Sequence, residues 1–301
     1  GMYLLQTVTA VYLRLLGHEI SNGGFVLDVN ETPDPEEFED AYMRYANARV
    51  CPPRPAEKTY RVRGTKEPFY TLNVIDGIMS VSAVQKVAKQ YQASITEYLN
   101  AVLLYSLLQK QEHDFHLRLR PVRIAMPVNL RRFFPSKTLR NFITMVYPSI
   151  DPRLGDYTFE EIVTQVHHYM RYYINSKFLR GDITTNASTQ RNPLIRIVPL
   201  FLKDFVVRQF YQRVQDKNSS AGLTNMGAIR VPDDMKPYLE RFDIYMGIPY
   251  SQRTNCAIVS FEDTLTVNFA SCIIEADVER RFFQKLVEDG IPVTIESNRE
   301  L

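Results

Sequence analysis

The stretch from Arg123 to Tyr147 constrains the fold more than any other part of the chain. Two apolar runs, Val122–Val128 and Phe142–Tyr147, lie on either side of a basic loop. The loop carries Asn129, Arg131, Pro135, Thr138 and Asn141. Apolar runs of this length that end at Pro or Asn are typical of buried strands. Asn and Arg side chains at the mouth of a strand fix loop backbone by hydrogen bonds. The stretch therefore predicts a strand, a well-fastened loop and a second strand.

Length and charge exclude several classes of protein. A chain of 301 residues with 45% hydrophobic content can bury a large core, as one large domain or two smaller ones. The formal net charge is only +2, from 36 basic and 34 acidic residues, so no global field favours nucleic acid or a membrane surface. We therefore predict a globular protein with no nucleic-acid partner.

Cysteine usage and hydropathy indicate a reducing, aqueous compartment. The three cysteines, Cys51, Cys256 and Cys272, lie mostly in apolar surroundings and show neither disulfide nor zinc spacing. The most apolar segment, Leu194–Tyr211, is interrupted by charged residues and Pro199, so it predicts a buried helix and no membrane span. The opening residues predict an amphipathic helix and do not read as a signal peptide. We therefore expect a cytoplasmic protein without a metal site.

The first 50 residues predict helices followed by a stiff linker. Met2–Leu16 predicts a helix that ends at Gly17, and its apolar face carries Leu4, Val8, Val11, Tyr12 and Leu15. Asp34–Glu37 is typical of a helix start, with an N-cap, a proline and an acidic first turn. Three prolines between Cys51 and Ala56 deny a helix there. We therefore place a domain boundary at this linker, between residues 1–50 and 51–301.

Strand and helix patterns are mixed in the remainder of the chain. The predicted strands are Thr59–Arg63, Phe69–Ile75 with a turn at Asp76–Gly77, His116–Met126, Arg241–Met246, Cys256–Phe261, Leu265–Ser271 and Ile291–Ile295. Two helices are predicted from their caps, one capped by Ser82 and one opened by the Ser94–Glu97 capping box. A third runs from Thr158 to about Phe178, and the polar residues Thr184–Asn192 break the helical pattern after it. The last two are Leu194–Arg213 and Ala276–Glu288. This mixture predicts an α/β fold, a two-layer mixed sheet with helices.

Two motifs carry a resemblance to a known family. The first is the Pro127–Arg131 run followed by Thr138–Phe142, and the second places Thr224, Asn225 and Gly227 where the family has Ser-Asn-x-Gly. The chain resembles alcohol acetyltransferase-like enzymes of the acyl-CoA-dependent acyltransferase superfamily, which includes condensation domains and chloramphenicol acetyltransferase. The resemblance covers Met2 to about Asp289.

The resemblance implies a fold, a reaction and a set of residues. It implies one half of the chloramphenicol-acetyltransferase-like two-domain fold, with residues 1–50 as a helical remnant of the other half. It implies acyl-CoA as cosubstrate and an alcohol as acceptor, with no bound cofactor. The residues expected to form one wall of the substrate tunnel are Asn129, Arg131, Asn141, Thr224, Asn225 and Gly227.

The catalytic motif of this family, His-His-x-x-x-Asp-Gly, is absent from the chain. The nearest match, His167–His168, lacks the Asp and Gly and lies inside a predicted helix, so we interpret it as a solvated pair on a helix face. We therefore assign no catalytic residue and predict that the chain alone is inactive. We expect the motif to lie upstream of Met2. The missing N-terminal half, or a second copy of the chain, is then the expected partner.

Two interpretations stay open from sequence. Arg132, Lys137 and Arg140 could bind the phosphates of CoA by charge-assisted hydrogen bonds, or could form a solvated basic face. The chain as a whole could be the C-terminal part of an O-acyltransferase, or a non-catalytic module that keeps the half-fold for binding or assembly. A half-fold exposes apolar surface, so under either interpretation we expect a dimer or larger assembly.

Overall fold

The computed structural model describes residues 2–47, 57–68, 71–114, 118–191, 199, 204, 218–249 and 252–299. Its strands are β1 Asn73–Ser80, β2 Val122–Asn129, β3 Ile143–Val146, β4 Ser149–Ile150, β5 Ala221–Ala228, β6 Thr254–Phe261, β7 Thr264–Ser271 and β8 Thr294–Ser297. Its helices are α1 Met2–Leu15, α2 Ala41–Tyr45, α3 Val81–Gln90, α4 Ile95–His113, α5 Phe159–Tyr173, α6 Ser176–Arg191 and α7 Asp277–Glu288. The α/β fold class is therefore confirmed.

One mixed sheet organises the described residues. Its strand order is β3-β2-β5-β6-β7-β1-β8, and β4 pairs with β2. Strands β2, β5 and β6 run parallel to one another, whereas the β2–β3, β6–β7 and β7–β1 pairs are antiparallel. The strand, loop and strand predicted around residues 122–147 are confirmed as β2 and β3, whose register pairs Pro127 with Met145.

Side-chain alternation divides the sheet into two faces. Even-numbered positions of β2 and odd-numbered positions of β7, such as Ile124 and Phe269, belong to the large core beneath α4 and α7. A second, smaller core on the opposite face contains Val259 and Phe261 of β6 together with Ala10 of α1. The apolar residues that alternate along each strand thus decide which layer each face contacts.

Both predicted capping boxes are confirmed. At the start of α4, Ser94 Oγ accepts from the N–H of Glu97 and the Glu97 carboxylate accepts from the N–H of Ser94. Thr158 and Glu161 make the same pair of bonds at the start of α5. Helix α3, which precedes α4, is capped by Ser80, so the prediction of Ser82 as its cap is wrong. Ser80 Oγ accepts from the N–H of Ala83 because β1 runs directly into α3.

The predicted turn at Asp76–Gly77 is wrong, because both residues lie inside β1. A Cβ at position 77 would overlap the ring of Phe283 on α7, so glycine is needed for close packing of the helix on the strand. Asp76 is held on the other face by Asn268 of β7. Close tertiary packing therefore accounts for a dipeptide that is typical of turns in isolation.

Other boundaries also differ from the sequence predictions. Residues 59–63 are not a strand. Of the strands predicted over Phe69–Ile75 and His116–Met126, residues 71–72 and 118–121 lie before β1 and β2, and residues 69–70 and 116–117 lie outside the described residues. The polar break predicted at Thr184–Asn192 is wrong up to Arg191, because α6 continues through it. The hydroxyl groups of Thr184 and Thr185 donate hydrogen bonds to the backbone carbonyl oxygens four residues earlier in the helix, so these polar residues are accommodated in it.

Residues 241–247, the crossing segment, are not the strand that was predicted for Arg241–Met246. The backbone of this segment is hydrogen-bonded by side chains of the sheet, and not by the backbone of a neighbouring strand as in a β-ladder. Thr266 Oγ1 donates to Phe242 O, Asn268 Oδ1 accepts from Ile244 N–H, and Asn255 Nδ2 donates to Gly247 O. The segment therefore passes over the sheet face opposite α4 without joining the sheet.

Helix α1 ends as predicted, with Gly17 at a φ of +93°, but it faces the other way. Its buried residues are Gln6, Thr7, Ala10 and Leu13, and the predicted apolar face lies outward. The side chain of Gln6 donates to Arg230 O, and Thr7 Oγ1 accepts from Leu27 N–H, so polar contacts fix this orientation.

The Pro-rich linker from Cys51 to Ala56 and nearly all of the helix predicted over Leu194–Arg213 lie outside the described residues. Within the part of the chain that the structure describes, no helix combines the length and apolar character needed to cross a bilayer. In the same residues, no group of three or more His, Cys, Asp or Glu side chains is placed to hold a metal ion.

Candidate functional site

The two motifs singled out from sequence meet at one edge of the sheet. β2 and β5 are parallel, with Ile124 opposite Ala221 and Ala125 opposite Gly222. Parallel neighbours end at the same edge, so the carboxyl end of β2, with Asn129, lies beside the carboxyl end of β5, with Asn225 and Gly227. We call this edge, with the loop 130–142 that follows β2, the motif edge.

The first motif folds the loop that leaves β2. Asn129 Oδ1 accepts from the N–H of Arg131 over 3.1 Å and so caps the short 3-10 turn Leu130–Arg132. Arg131 Nη2 then donates to Thr138 O over 2.7 Å and to Arg140 O over 2.6 Å. Asn129 and Arg131 thus brace the loop. Asn141 is exposed, and its side chain makes no hydrogen bond to the described residues.

Residues before the predicted domain boundary hold the same loop from outside. Thr138 Oγ1 donates to Glu39 O over 2.7 Å, and Leu139 N–H donates to Glu37 O over 2.8 Å. The hydroxyl of Tyr42 accepts from Ile143 N–H over 3.1 Å and donates to Ile143 O, so it covers the start of the edge strand β3. Burial raises the pKa of Tyr42, which keeps the hydroxyl protonated as a donor.

The second motif forms a bulge at the end of β5. Asn225 Oδ1 accepts from Gly227 N–H over 2.8 Å, Gly227 has a φ of +73°, and the register with β6 shifts between Asn225 and Ala228. Asn225 Nδ2 donates to Thr96 Oγ1 in the first turn of α4 over 2.8 Å. Bulges of this kind re-aim neighbouring side chains. The bulge thus leaves Thr224 half-exposed on the face away from α4.

The first turn of α4 and His167 of α5 were missed as parts of this region. His167 is half-buried, with Nδ1 3.3 Å from Glu97 Oε1, and its Nε2 accepts from Arg171 Nε over 3.1 Å. The prediction of a solvated His167–His168 pair is therefore wrong for His167, whereas His168 is exposed. The spacing of His167 and Arg171, four residues apart on one helix, was the available signal.

The basic side chains at the motif edge differ in what they already bind. Lys137 Nζ lies 2.7 Å from Asp34 Oδ2 and 3.6 Å from Glu36 Oε2, and this cation lowers the pKa of Asp34. Arg131 is engaged by carbonyls of its own loop. Arg132 and Arg140 are exposed, so their guanidinium groups are the ones open to an anionic ligand.

The sheet face beside the motif edge is apolar with one hydroxyl group. Pro127 of β2 and its partner Met145 of β3 point away from α4, as does Thr224 of β5. Met145 and Met226 are exposed. An apolar surface with flexible methionines and one hydroxyl suits contact with an organic ligand rather than with a metal ion or nucleic acid.

Several solved structures are similar to this chain in fold. The epimerization domain from the third module of tyrocidine synthetase B matches with a TM-score of 0.52 at 10% identity, over 95% of this chain and 65% of that one. A nonribosomal peptide synthetase, FmoA3, matches with a TM-score of 0.51 at 11% identity, over 86% of this chain and 24% of that one. Trichothecene 15-O-acetyltransferase from Fusarium sporotrichioides matches with a TM-score of 0.49 at 14% identity, over 76% and 48% of the two chains.

The two matches with TM-scores above 0.5 show that this chain shares its α/β fold with the tyrocidine synthetase epimerization domain and with FmoA3. The chain spans 24% to 65% of the length of these three structures. No family model matches the chain, and no curated protein matches it.

Proposed function

We propose that this chain is the C-terminal part of an acyl-CoA-dependent O-acyltransferase of the alcohol acetyltransferase type. It supplies one wall of the substrate tunnel, and a second polypeptide unit supplies the catalytic base. The observation that carries the proposal is the meeting of both family motifs at one sheet edge, where Asn129 and Asn225 each fix backbone beside an open apolar face. The fold match is consistent with this assignment.

The division of labour follows from what general-base catalysis requires. A base that activates an acceptor hydroxyl needs an unshared electron pair within hydrogen-bond distance of it. Nε2 of His167 already accepts from Arg171, and its Nδ1 faces Glu97. None of the five histidines of the sequence lies in a His-His-x-x-x-Asp-Gly motif. We therefore expect no acyl transfer by this chain alone.

Binding of CoA is the contribution that this chain can make by itself. The exposed Arg132 and Arg140 lie on the loop that Arg131 holds in shape, so their positions are fixed without occupying their own guanidinium groups. Guanidinium groups bind phosphate oxygens through paired, charge-assisted hydrogen bonds. Lys137, which was a third candidate from sequence, is held by Asp34, so we expect a smaller contribution from it.

The test is isothermal titration of CoA into the 301-residue chain and two variants, a double variant at Arg132 and Arg140 and a control at Lys137. Replacing Arg132 and Arg140 by Ala should weaken CoA binding at least about tenfold, since each charge-assisted bond contributes about 1.5–3 kcal/mol. The matched control Lys137→Ala should change the affinity less than about twofold, because its partner is Asp34. Equal affinity in the double variant and the unmodified chain would overturn the assignment of these arginines.

Activity provides a second, separate measurement. Acetyl transfer from acetyl-CoA to a panel of alcohols is expected to equal the rate without protein. A rate above that control would contradict the division of labour. If the chain binds no CoA at all, the acyltransferase proposal fails, and the alternative of a non-catalytic binding or assembly module takes its place.

A further inference from the structure

Arg123 is a buried arginine whose charge is not paired with an acidic side chain of the described residues. It is the second residue of β2 and is only 7% exposed. Its Nη1 donates to Asn218 O over 3.2 Å and to Glu57 O over 3.4 Å. Both partners are backbone carbonyl oxygens, which carry no net charge. Because a buried charge without a counter-charge is costly, an anion bound at this guanidinium would stabilise the folded chain.

The other side of the guanidinium, with Nε and Nη2, makes no hydrogen bond to the described residues. We call these two N–H groups the fork, since they match the two oxygens of one carboxylate. In the part of the chain that the structure describes, the buried side-chain atoms that are closed to solvent and unbonded are Asn100 Oδ1, His167 Nδ1 and Arg299 Nε. The fork of Arg123 is not among them, so it is unbonded but remains open to solvent.

Two hydroxyl groups beside Arg123 accept hydrogen bonds and have a proton left to donate. Ser220 Oγ accepts from the N–H of Arg123 over 3.2 Å, and the hydroxyl of Tyr169 accepts from the N–H of Tyr147 over 2.9 Å. Neither hydroxyl donates to an acceptor in the described residues. Burial lowers the pKa of Arg123, and the nearby Tyr169 acts in the opposite direction. The unused hydrogen-bonding groups beside Arg123 are therefore donors, which suits an anion.

The charges around Arg123 favour a monocarboxylate over phosphate. Glu57 is the carboxylate whose charge reaches Arg123. It is ion-paired with Arg153 over 2.7 Å, and Arg153 also pairs with Asp151, so the charge of Glu57 is only partly neutralised. A monoanion balances the single charge of Arg123, whereas a phosphate dianion would add an uncompensated charge that Glu57 repels.

We propose that the fork of Arg123 binds the carboxylate of a small organic monocarboxylic acid, with the hydroxyl of Tyr169 as a further donor. The site is separate from the motif edge, because six residues of β2 between Arg123 and Asn129 span about 20 Å. It does not depend on CoA binding or on acyl transfer, so it can fail while the proposed function stands.

The test is isothermal titration of sodium propionate into the 301-residue chain, with sodium chloride exchanged to keep the ionic strength constant. We expect one site with a dissociation constant of about 5 mM or tighter. Arg123→Met removes the fork but keeps an unbranched side chain, so it should weaken binding at least about tenfold. Arg280→Met, the same change at an exposed residue of α7, is the matched control and should leave the affinity unchanged.

Comparison of ligands tests the recognition of charge in the unmodified chain. Propionamide has the shape of propionate without its charge, and it should bind at least about tenfold more weakly. Inorganic phosphate should also bind at least about tenfold more weakly than propionate. No propionate binding up to about 50 mM, or equal binding of propionamide or phosphate, would overturn the proposal.

The variants locate the site. Equal propionate affinity in Arg123→Met and in the unmodified chain would overturn the assignment to the fork. If Arg123→Met does not fold, Tyr169→Phe takes its place, since it removes one hydroxyl and leaves the guanidinium intact. Tyr169→Phe should weaken propionate binding at least about twofold, and an unchanged affinity would then reject the site.

Discussion

Asn225 Nδ2 donates to Thr96 Oγ1 over 2.8 Å, and this bond ties the bulged end of β5 to the first turn of α4. The other side of the same amide accepts from Gly227 N–H, so one side chain both shapes the bulge and anchors it to a helix. The helix is fixed in turn by the Ser94–Glu97 capping box. The position of Thr224 on the open face therefore depends on contacts made on the opposite face of the sheet.

This relationship predicts coupling between two residues that are far apart in sequence. Asn225→Ala should lower the free energy of unfolding by about 1–2 kcal/mol and Thr96→Ala by about 1 kcal/mol. The double variant should lose less than the sum of the two losses, by about 0.5–1 kcal/mol, because both remove the same bond. Urea unfolding measures all three.

Thr164 provides the control for this cycle, since its hydroxyl donates to Glu160 O within α5 and touches neither residue. Thr164→Ala combined with Asn225→Ala should be additive. Additive losses for the Thr96 and Asn225 pair would show that the bond does not anchor the bulge.

Arg131 is predicted to stabilise the loop rather than to bind ligand. Arg131→Ala removes donors from the carbonyl oxygens of Thr138 and Arg140, and should lower the free energy of unfolding by about 1–3 kcal/mol. Amide hydrogen exchange across residues 130–142 should become faster. Arg132→Ala, the neighbouring control at an exposed side chain, should change stability by less than about 0.5 kcal/mol. Equal effects of the two substitutions would contradict the bracing role of Arg131.

Local signals in the sequence were sufficient for part of this fold. The capping boxes at Ser94 and Thr158 form hydrogen bonds to backbone groups within four residues, so they could be predicted without knowledge of tertiary contacts. Strands β6 and β7 were likewise predicted, as Cys256–Phe261 and Leu265–Ser271. Features whose partners lie nearby in sequence could be predicted, including the capped loop that follows Asn129.

Features decided by distant partners could not be predicted. The orientation of α1 depends on a core built from β6 and from residues 229–242, so its apolar periodicity alone gave the wrong buried face. The crossing segment has the composition of a strand, but side chains of Thr266 and Asn268 take the hydrogen bonds that a ladder would need. The link between His167 and Glu97 joins two helices and left no sequence signal beyond the spacing to Arg171.

Gly77 gives a sharp test of one such distant contact. Gly77→Ala places a methyl group against the ring of Phe283, so it should lower the free energy of unfolding by about 1–3 kcal/mol or more. Adding Phe283→Leu should recover part of this loss, because the smaller side chain leaves room for the methyl. Gly247→Ala, where a Cβ would meet no atom, is the control and should be nearly neutral. A loss at Gly77 that Phe283→Leu leaves unchanged would point to backbone conformation instead of packing.

The carboxyl group of Asp76, which is bonded to Tyr245 of the crossing segment, should make the stability of the fold depend on pH. Burial raises its pKa above the ordinary value of 3.8, although Asn268 and the hydroxyl of Tyr245 both donate to the carboxylate and act in the opposite direction. The folded chain thus holds this proton to a higher pH than the unfolded chain does. The stabilising contribution of Asp76 is fully present below pH 3.8 and is lost as the pH rises through its raised value.

Asp76→Asn removes this titration and should therefore change the pH dependence of stability in a defined direction. The free energy of unfolding of the variant minus that of the unmodified chain should increase as the pH rises from about 3.8 through the raised pKa, and then stay constant. Urea unfolding at pH steps from about 3.5 to 7 measures this difference. Asn30→Ala, which removes no titratable group from an exposed position in the loop after α1, is the control and should give a difference that is constant with pH. A constant difference for Asp76→Asn as well would show that this carboxyl group titrates alike in the folded and unfolded chain, and that its burial beneath Tyr245 has no electrostatic cost.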